Sequence, residues 1–504
     1  MITRKYSYIF FLFLAGFILA GTGCKKEFLN EPRPTESVTS TDVFSTPAGV
    51  RAYFNGIYRN MRRQWANLDA SAGGVTDAWG YNSINLAREN KGLDIVNPGG
   101  WYQFDYRQEN REPTYRRTRF TWAFFYEHIN QLNVLIEGVE ASSFSAADKA
   151  AFTAEARALR AWLYFELIRE FQHVITKDPN APGIPIYTVP TGIENKGNPR
   201  GTIKQVYDLI NADIDYATKN LGTDRALKSQ VNLNVAWGMA ARIYLEQQRW
   251  ADAVNAAQKA REGYTLDAAS YRGNFPGLTS SEVIWGFLQT QEGGGQTLYY
   301  GTPSSFYEQT GNGYDNFFMN STFVQSFSLT DVRNTFYFRS ANPASSLRYA
   351  TNKFGSPSTT DIQLITGQTV KLRETDFNES LTMMRAAEMY LIEAEAEAEL
   401  GNTQKAKTLL FTLQKNRDAA AVQSTNTGAA LINEILLERR KELYGELGIS
   451  WLDIKRRQLP LVRTGNHPAA YRFSFPANDD RLILKLPQNE IDTNDNISES
   501  DQNP

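Results

Sequence analysis

Residues 237–260 read WGMAARIYLEQQRWADAVNAAQKA and carry the most informative pattern in the chain. Trp237 stands at the bulky first position of a helix–turn–helix repeat. Small residues follow at Ala241, Ala253 and Ala260, where two antiparallel helices must approach each other closely. The stretch therefore predicts a pair of tightly packed helices.

The same pattern returns at residues 390–413, with Ala394 and Ala406 at the small positions and Gly401 in the turn. Two matches at one spacing predict a tetratricopeptide-like helical-repeat scaffold, and hence an all-α dominated fold. A generic alanine-rich helix hairpin is the alternative. Apolar residues at helical spacing predict further helices, the first of them capped by Asp42. These helices cover residues 41–65, 114–139, 146–171 and 203–221.

Two long segments interrupt the helical pattern, at about residues 69–111 and 265–381. Both are rich in Gly, Asn, Tyr and Phe, and we expect them to form irregular insertions into the scaffold. Only two short runs in the second segment have strand character, at residues 282–287 and 364–366. Long loops on a rigid scaffold commonly bind ligands, so the two insertions are the predicted ligand-binding regions.

Composition excludes several classes of protein. The chain has 504 residues, and 53 Lys+Arg against 55 Asp+Glu leave a formal net charge of −2. This balance argues against a nucleic-acid-binding surface, which requires a clustered basic excess. With 1 Cys and 3 His, the chain can form neither a disulfide scaffold nor a cysteine-based zinc site.

The usual catalytic motifs are missing from the sequence. It contains no phosphate-binding loop, no dinucleotide fingerprint, no His-Glu-x-x-His motif and no Gly-x-Ser-x-Gly elbow. We therefore expect a protein that is not an enzyme and needs no cofactor or metal. A glycosidase stays open as an alternative, because its two acids need not be neighbours in sequence. Glu393, Glu395, Glu397 and Glu399 alternate along one predicted helix, and their spacing suggests a surface position.

The N-terminus has the three-part pattern of an export signal. Arg4 and Lys5 precede an apolar stretch over residues 6–20, and small residues lead to Cys24, the only cysteine. The apolar stretch is too short for a permanent membrane helix, since about 20 residues are needed to span a bilayer. Cys24 looks like the lipobox cysteine of a bacterial lipoprotein, and an ordinary signal peptide is the alternative. We predict a lipoprotein signal peptide over 1–23, a lipidated tether over 24–40 and a single domain over 41–504.

Several segments together resemble one family. They are Cys24 with the following Phe28, Leu29 and Pro32; AEARALRAWLYF at 154–165; residues 240–245; IEAEA at 392–396; LERRKEL at 437–443; DIKR at 453–456; and LPQNEID at 486–492. In this order they are similar to the SusD/RagB family of outer-membrane nutrient-binding lipoproteins. The resemblance covers almost the whole chain after Cys24.

This resemblance implies a tetratricopeptide-containing helical fold, no catalysis, and a lipid-anchored, surface-exposed position on the cell outer membrane. It also implies two partners: an oligosaccharide or polysaccharide, and a SusC-like TonB-dependent transporter that receives it. The role would then be nutrient uptake in polysaccharide utilisation. The alternatives are import of a peptide or protein cargo, and a helical-repeat scaffold for protein interactions.

Exposed aromatic rings beside polar side chains suit sugars, which offer C–H faces for stacking and hydroxyl groups for hydrogen bonds. Asp77 also lies where members of the family often have an acidic residue near the ligand. The predicted ligand-binding residues are Asp77, Trp79, Tyr81, Trp101 and Tyr102 from the first insertion, and Tyr299, Tyr300, Tyr307 and Tyr314 from the second.

Overall fold

The computed structural model describes residues 43–65, 76–192, 194–271, 275, 277–289, 301–310, 313–342, 345–376 and 378–504. The predicted signal peptide, the tether and Cys24 lie outside these residues. Within the described ranges, no helix combines the length and the apolar character needed to cross a membrane.

Helices dominate the described structure. They are α1 (Pro47–Asn60), α2 (Gly80–Lys91), α3 (Gln103–Tyr106), α4 (Arg116–Ala141), α5 (Ala146–Phe171), α6 (Ile203–Asn220), α7 (Leu233–Glu246), α8 (Trp250–Ala260), α9 (Ser304–Tyr307), α10 (Ser321–Val324), α11 (Ala386–Glu399), α12 (Thr403–Arg417), α13 (Gly428–Glu442), α14 (Ile449–Arg456) and α15 (Gln488–Thr493). The predicted all-α dominated fold is confirmed.

The strands are short and form two-stranded antiparallel pairs. They are β1 (Ile95–Val96) with β5 (Phe318–Met319), β2 (Pro182–Pro185) with β3 (Arg200–Thr202), β4 (Val283–Phe287) with β10 (Leu381–Arg385), β6 (Phe336–Phe338) with β7 (Tyr349–Thr351), β8 (Ser356–Gln363) with β9 (Thr369–Glu374), and β11 (Leu461–Val462) with β12 (Ser474–Phe475). The pair β1–β5 is important for the site, because it joins the two predicted insertions.

The helical repeat forms as the sequence predicts. Helix α8 packs against both α7 and α11, and α11 packs in turn against α12. Ala241, Ala253 and Ala260 are fully buried at these contacts, as is Ala406 in the second pair. Small side chains let the helix backbones come close. A single helix pair cannot bury its apolar face alone, and packing against the next pair completes the core.

Helices α4, α5 and α6 begin and end within a few residues of their predicted positions. Ser145 caps α5 by accepting a hydrogen bond from the Asp148 backbone N–H at 3.1 Å. Thr202 caps α6 in the same way through Gln205, whose side chain bonds back to the Thr202 N–H at 2.8 Å. Such caps satisfy backbone donors that have no partner inside the helix.

The first helix is shorter than predicted. It begins at Pro47 and is capped by Thr46, whose hydroxyl accepts from the Gly49 N–H at 3.1 Å. Proline at the first helical position favours a helix start there. Its fixed φ suits a helix, and it has no backbone N–H that would need a hydrogen-bond acceptor. Asp42, the predicted cap, lies outside the described residues.

The first insertion is less irregular than predicted, because residues 80–91 form α2. Every residue of this helix is buried, its polar ones included, so it has no solvent-exposed face and leaves no apolar–polar period in the sequence. The glycines that suggested a loop lie at its two ends, Gly80 at the start and Gly92 just after the end.

In the second insertion, the predicted strand at 282–287 is confirmed as β4. The run at 364–366 is the connection between β8 and β9 rather than a strand of its own. There the Leu364 N–H donates to the Gln368 carbonyl at 2.8 Å, and Gly367 has a φ of +83°. Leu364 packs in a small core with Tyr337 and Leu372, and Ile365 packs against a larger aromatic core, which explains the strand-like composition of this run.

Replacing Gly80 with alanine is expected to destabilise the protein by about 2 kcal/mol or more, because a left-handed residue with a Cβ costs about 1–2 kcal/mol and this one also clashes. Gly80 has a φ of +53°, and a Cβ there would lie 2.2 Å from the Met61 carbonyl oxygen. Gly56→Ala is the matched control: nothing lies within 4 Å of a Cβ inside α1, so we expect a gain of about 0.5–1 kcal/mol. Urea unfolding of both variants measures the difference, and equal effects would contradict the assigned backbone at Gly80.

Candidate ligand-binding site

A cleft of about 400 Å³ opens beside α3, where the two insertions meet. Its volume falls in the usual range of small-molecule sites, roughly 300–1,000 Å³. The lining residues come from both insertions and from the start of α4. They are Asp77, Gly100, Trp101, Tyr102, Gln103, Phe104, Asp105, Asn110, Arg116 and Tyr314.

Aromatic rings form one wall of the cleft. Trp101 and Tyr314 are both half-buried and meet edge to face, with ring centroids 6.0 Å apart. Tyr314 is supported from behind by Phe306, which stacks on it at 5.3 Å. Phe104 projects beside them with 52% of its surface exposed. Rings that are held in place on one side and open on the other can stack on a ligand.

The backbone of the Trp101 turn is held from both insertions. Gly100 and Tyr102 flank it in the left-handed region, with φ values of +90° and +65°. The Trp101 carbonyl accepts two hydrogen bonds, from the side-chain amides of Asn97 and Asn316, both at 2.8 Å. Because these two amides come from different insertions, hydrogen bonds from both insertions hold the turn at Trp101 in place.

Two ion pairs lie at the cleft. Arg116 Nη1 donates to Asp77 Oδ1 at 3.0 Å on the wall, where both side chains are partly exposed. On the floor, Arg117 contacts both oxygens of Asp105, at 3.1 and 3.2 Å, and both residues are fully buried. Burial alone would lower the pKa of Arg117, but the charges of Asp105 and Asp77 raise it above its ordinary value.

Tyr102 belongs to the floor rather than to the open wall. Its ring meets Phe306 edge to face at 5.1 Å, and the Arg117 guanidinium lies 5.4 Å from its centroid. Only 3% of the residue is exposed, and burial raises the pKa of its hydroxyl.

Asp315, which follows Tyr314, lies near both an acidic and a basic side chain. Asp315 lies beside Glu308, and Arg339 donates to it at 3.2 Å. Burial, together with the neighbouring Glu308, raises the pKa of Asp315 to about 6. The Tyr314 backbone N–H donates to the Ser305 carbonyl at 2.6 Å, which ties this segment to α9.

Two family profiles match this chain. One, described as a SusD-like family, "Starch-binding associating with outer membrane", matches residues 50–245, and the other, described as the SusD family, matches residues 333–504. The chain belongs to the SusD/RagB family. The predicted membership is therefore confirmed.

Two SusD-like proteins resemble the chain, one of them over most of its length. A SusD-like protein P38 from Formosa agariphila is 22% identical, over 85% of this chain and 88% of that protein. A SusD-like protein from Bacteroides ovatus is 29% identical over 132 residues, which cover 26% of this chain and 22% of that protein.

Solved structures of the SusD superfamily share the fold. A SusD-like carbohydrate binding protein from Bacteroides vulgatus superposes with a TM-score of 0.76 at 23% identity, covering 90% of this chain and 97% of its own. A laminarin binding SusD-like protein superposes with a TM-score of 0.66 at 22% identity, covering 91% and 99%. The helical-repeat scaffold is thus the SusD fold.

Of the predicted ligand-binding residues of this SusD/RagB member, the structure brings four together in the cleft: Asp77, Trp101, Tyr102 and Tyr314. Sequence reasoning did not select the other lining side chains, which are Gln103, Phe104, Asp105, Asn110 and Arg116. Gln103 and Phe104 directly follow Trp101 and Tyr102. The run of aromatic and polar residues at 101–106 is therefore the sequence signal that could have indicated them.

The other described candidates lie in the core. Tyr81 packs its ring against Trp162 at 4.7 Å and is 2% exposed, and burial raises the pKa of its hydroxyl. Trp79, also 2% exposed, packs on Gly301, and Tyr307 is buried among other rings. The burial of Trp79, Tyr81 and Tyr307 disagrees with the prediction that these side chains contact a ligand. Tyr299 and Tyr300 lie outside the described residues.

Within the described ranges, no three His, Cys, Asp or Glu side chains are grouped closely enough to hold a metal ion. The carboxylates of the cleft are paired with arginines instead. The open rings and polar side chains of the described lining can stack on a ligand and form hydrogen bonds with it.

Proposed function

We propose that the protein binds an oligosaccharide in the cleft lined by Trp101, Phe104 and Tyr314. The observation that carries the proposal is the presence of supported aromatic rings beside a charged hydrogen-bonding pair, Asp77 and Arg116, in one open site. Rings stack on the C–H faces of sugars, while the carboxylate accepts from hydroxyl groups and the guanidinium donates to them. Cleft size and chemistry together favour a short stretch of a glycan.

In this proposal the protein delivers its ligand to a SusC-like TonB-dependent transporter. It is held on the outer face of the outer membrane by acyl chains on Cys24, with residues 41–504 acting as a single domain. Support comes from the membership of the SusD/RagB family, from the profile description that mentions starch binding and the outer membrane, and from the solved relative described as binding laminarin.

The proposed role is binding without catalysis. Glycoside hydrolysis requires two carboxyl groups, one of which keeps its proton until it donates it to the leaving group. In the described part of the cleft the carboxylates are Asp77 and Asp105, and each is paired with an arginine. Each carboxylate of this lining is thus held by a guanidinium rather than left open to a glycosidic oxygen.

The test is a binding screen of the full chain, purified in a detergent without sugar head groups, against a panel of polysaccharides and their oligosaccharides. We expect binding without product formation. Trp101→Ala/Tyr314→Ala should weaken it about tenfold or more, since each lost ring contact contributes about 0.5–1.5 kcal/mol beyond its buried area.

Trp237→Ala is the matched control, because Trp237 is a half-buried ring on the repeat scaffold rather than in the cleft. If binding depended on Trp237 and survived the double substitution, the scaffold alternative would replace the proposal. Binding of no glycan, together with binding of peptides, would shift the cargo to peptide.

A further inference from the structure

The described lining of the cleft, taken together with Arg117 beneath its floor, carries a balanced set of charges. Asp77 is paired with Arg116 on the wall, and Asp105 is paired with Arg117 beneath the floor. Asp77 also acts on the floor pair, since its charge contributes to the raised pKa of Arg117. Two acidic and two basic side chains thus form one electrostatic unit without a surplus cation.

We infer that the cleft selects neutral sugars over acidic ones, meaning sugars that carry carboxylate or sulfate groups, and that Asp77 sets this preference. The inference rests on the proposed function and narrows its ligand class.

Proteins bind carboxylates and sulfates chiefly through arginine, whose guanidinium offers parallel donors to two oxygens. Here the guanidinium of Arg116 already donates to Asp77, and only 32% of its side chain is exposed. The second arginine, Arg117, donates to both oxygens of Asp105 and is 1% exposed, so a ligand in the cleft cannot reach it. Within the described lining of the cleft, an incoming anion finds no arginine without a carboxylate beside it.

An anion on this wall would also be repelled by Asp77. The Asp77 side chain is only 13% exposed, so water screens its charge less than at an open surface. Two like charges in a partly desolvated site disfavour each other, as in paired carboxylates. A neutral hydroxyl pair meets no such penalty, because one hydroxyl can donate to Asp77 while another accepts from Arg116.

The test compares Asp77→Asn with the wild type in the full chain. Asparagine keeps the shape and one acceptor oxygen but removes the negative charge, so the described lining and Arg117 beneath it together gain a net positive charge. The probes are neutral laminarin, xylan and mannan oligosaccharides, and acidic alginate, polygalacturonate and carrageenan oligosaccharides.

We expect the wild type to bind neutral probes only. Asp77→Asn should bind at least one acidic probe about tenfold or more tightly than the wild type does, and this binding should weaken as salt is raised. Neutral binding should fall only a few-fold. Adding Arg116→Gln to Asp77→Asn should abolish the gain. Glu112→Gln, another carboxylate-to-amide change outside the cleft lining, should alter neither class of binding.

Unfolding curves show whether each variant is folded. Arg116→Gln alone is a second test, because it should not gain affinity for acidic probes. Wild-type binding of an acidic probe that is lost in Trp101→Ala/Tyr314→Ala would overturn the inference and leave the proposed function standing. So would an Asp77→Asn variant that is folded, binds neutral probes and gains nothing. Failure of the wild type to bind any sugar would overturn the proposed function, and the inference with it.

Discussion

Replacing Glu442 with glutamine is expected to lower the free energy of unfolding by about 3–5 kcal/mol, because it removes the shared anion of a buried ion cluster. Glu442 is fully buried at the end of α13 and accepts from Arg385 at 2.7 Å, Arg417 at 2.8 Å and Arg333 at 3.0 Å. Tyr271 also donates to it at 2.7 Å. Glutamine keeps the shape but leaves three buried cations with one anion fewer.

The cluster joins parts of the chain that are far apart. Arg333 comes from the second insertion, Arg385 from the end of β10 and Arg417 from the end of α12. Losing Glu442 therefore weakens the contact between the repeat scaffold and the insertion that carries Tyr314. The matched control is Asp208→Asn, because Asp208 pairs with Lys204 on the surface, where such a pair contributes about 0–1 kcal/mol.

The effect of Glu442→Gln should depend on pH. Burial alone would raise the pKa of Glu442, but Arg417, Arg385 and Arg333 hold it well below its ordinary value of 4.5. A depressed pKa stabilises the folded protein above the ordinary value, and this contribution is lost as the pH falls towards the depressed one. Urea unfolding at pH 7 and at pH 4 should show the larger difference between variant and wild type at pH 7. A difference that does not change with pH would contradict the assigned charge on Glu442.

The helical scaffold could be predicted because its signals are local. Small residues at fixed spacing and helix caps, such as Ser145 and Thr202, act within one or two turns of chain, so the sequence alone reveals them. Helix α2 could not be predicted in the same way. It is buried on all sides, and only the surrounding tertiary structure distinguishes such a helix from an aromatic-rich loop.

The alternating glutamates of α11 show the same limit. Their spacing suggested a surface position, yet Glu393, Glu395 and Glu397 are buried. Arg456 donates to both oxygens of Glu395, each at 2.6 Å, and Arg261 reaches Glu393 at 2.8 Å. These partners lie far away in sequence, on α14 and just after α8. A carboxylate can be buried when a distant arginine pairs with it, and sequence spacing contains no information about that partner.

Within the candidate site, the sequence indicated the right segments but could not separate wall from core. Trp101 and Tyr314 face the cleft, whereas Trp79 and Tyr81 come from the same aromatic-rich insertion as Trp101 and are buried. Ring type and neighbouring glycines are alike in both sets. The two sets differ in the direction in which the backbone presents each ring. For Trp101 this direction depends on the turn at Gly100, and for Tyr81 it depends on the burial of α2.

Replacing Arg117 with leucine is expected to destabilise the protein by about 3–5 kcal/mol, because it leaves the fully buried Asp105 without its cation. Both oxygens of Asp105 contact Arg117, and the Asn110 amide donates to one of them at 3.3 Å. Asp105 lies in α3 next to Phe104, so the pair also ties the aromatic wall to α4. We therefore expect glycan binding to weaken in the same variant.

A double substitution separates the ion pair from the shape of the site. Asp105→Asn/Arg117→Leu removes both charges and keeps an oxygen for the Asn110 amide, so it should recover at least half of the lost stability. If the pair acts on the wall through α3, glycan affinity should recover along with stability. Urea unfolding and glycan titration of the two single variants and the double variant complete the cycle. A double variant as unstable as Arg117→Leu would mean that the packing of Arg117 against Tyr102 and Phe120, rather than its charge, holds the floor of the cleft together.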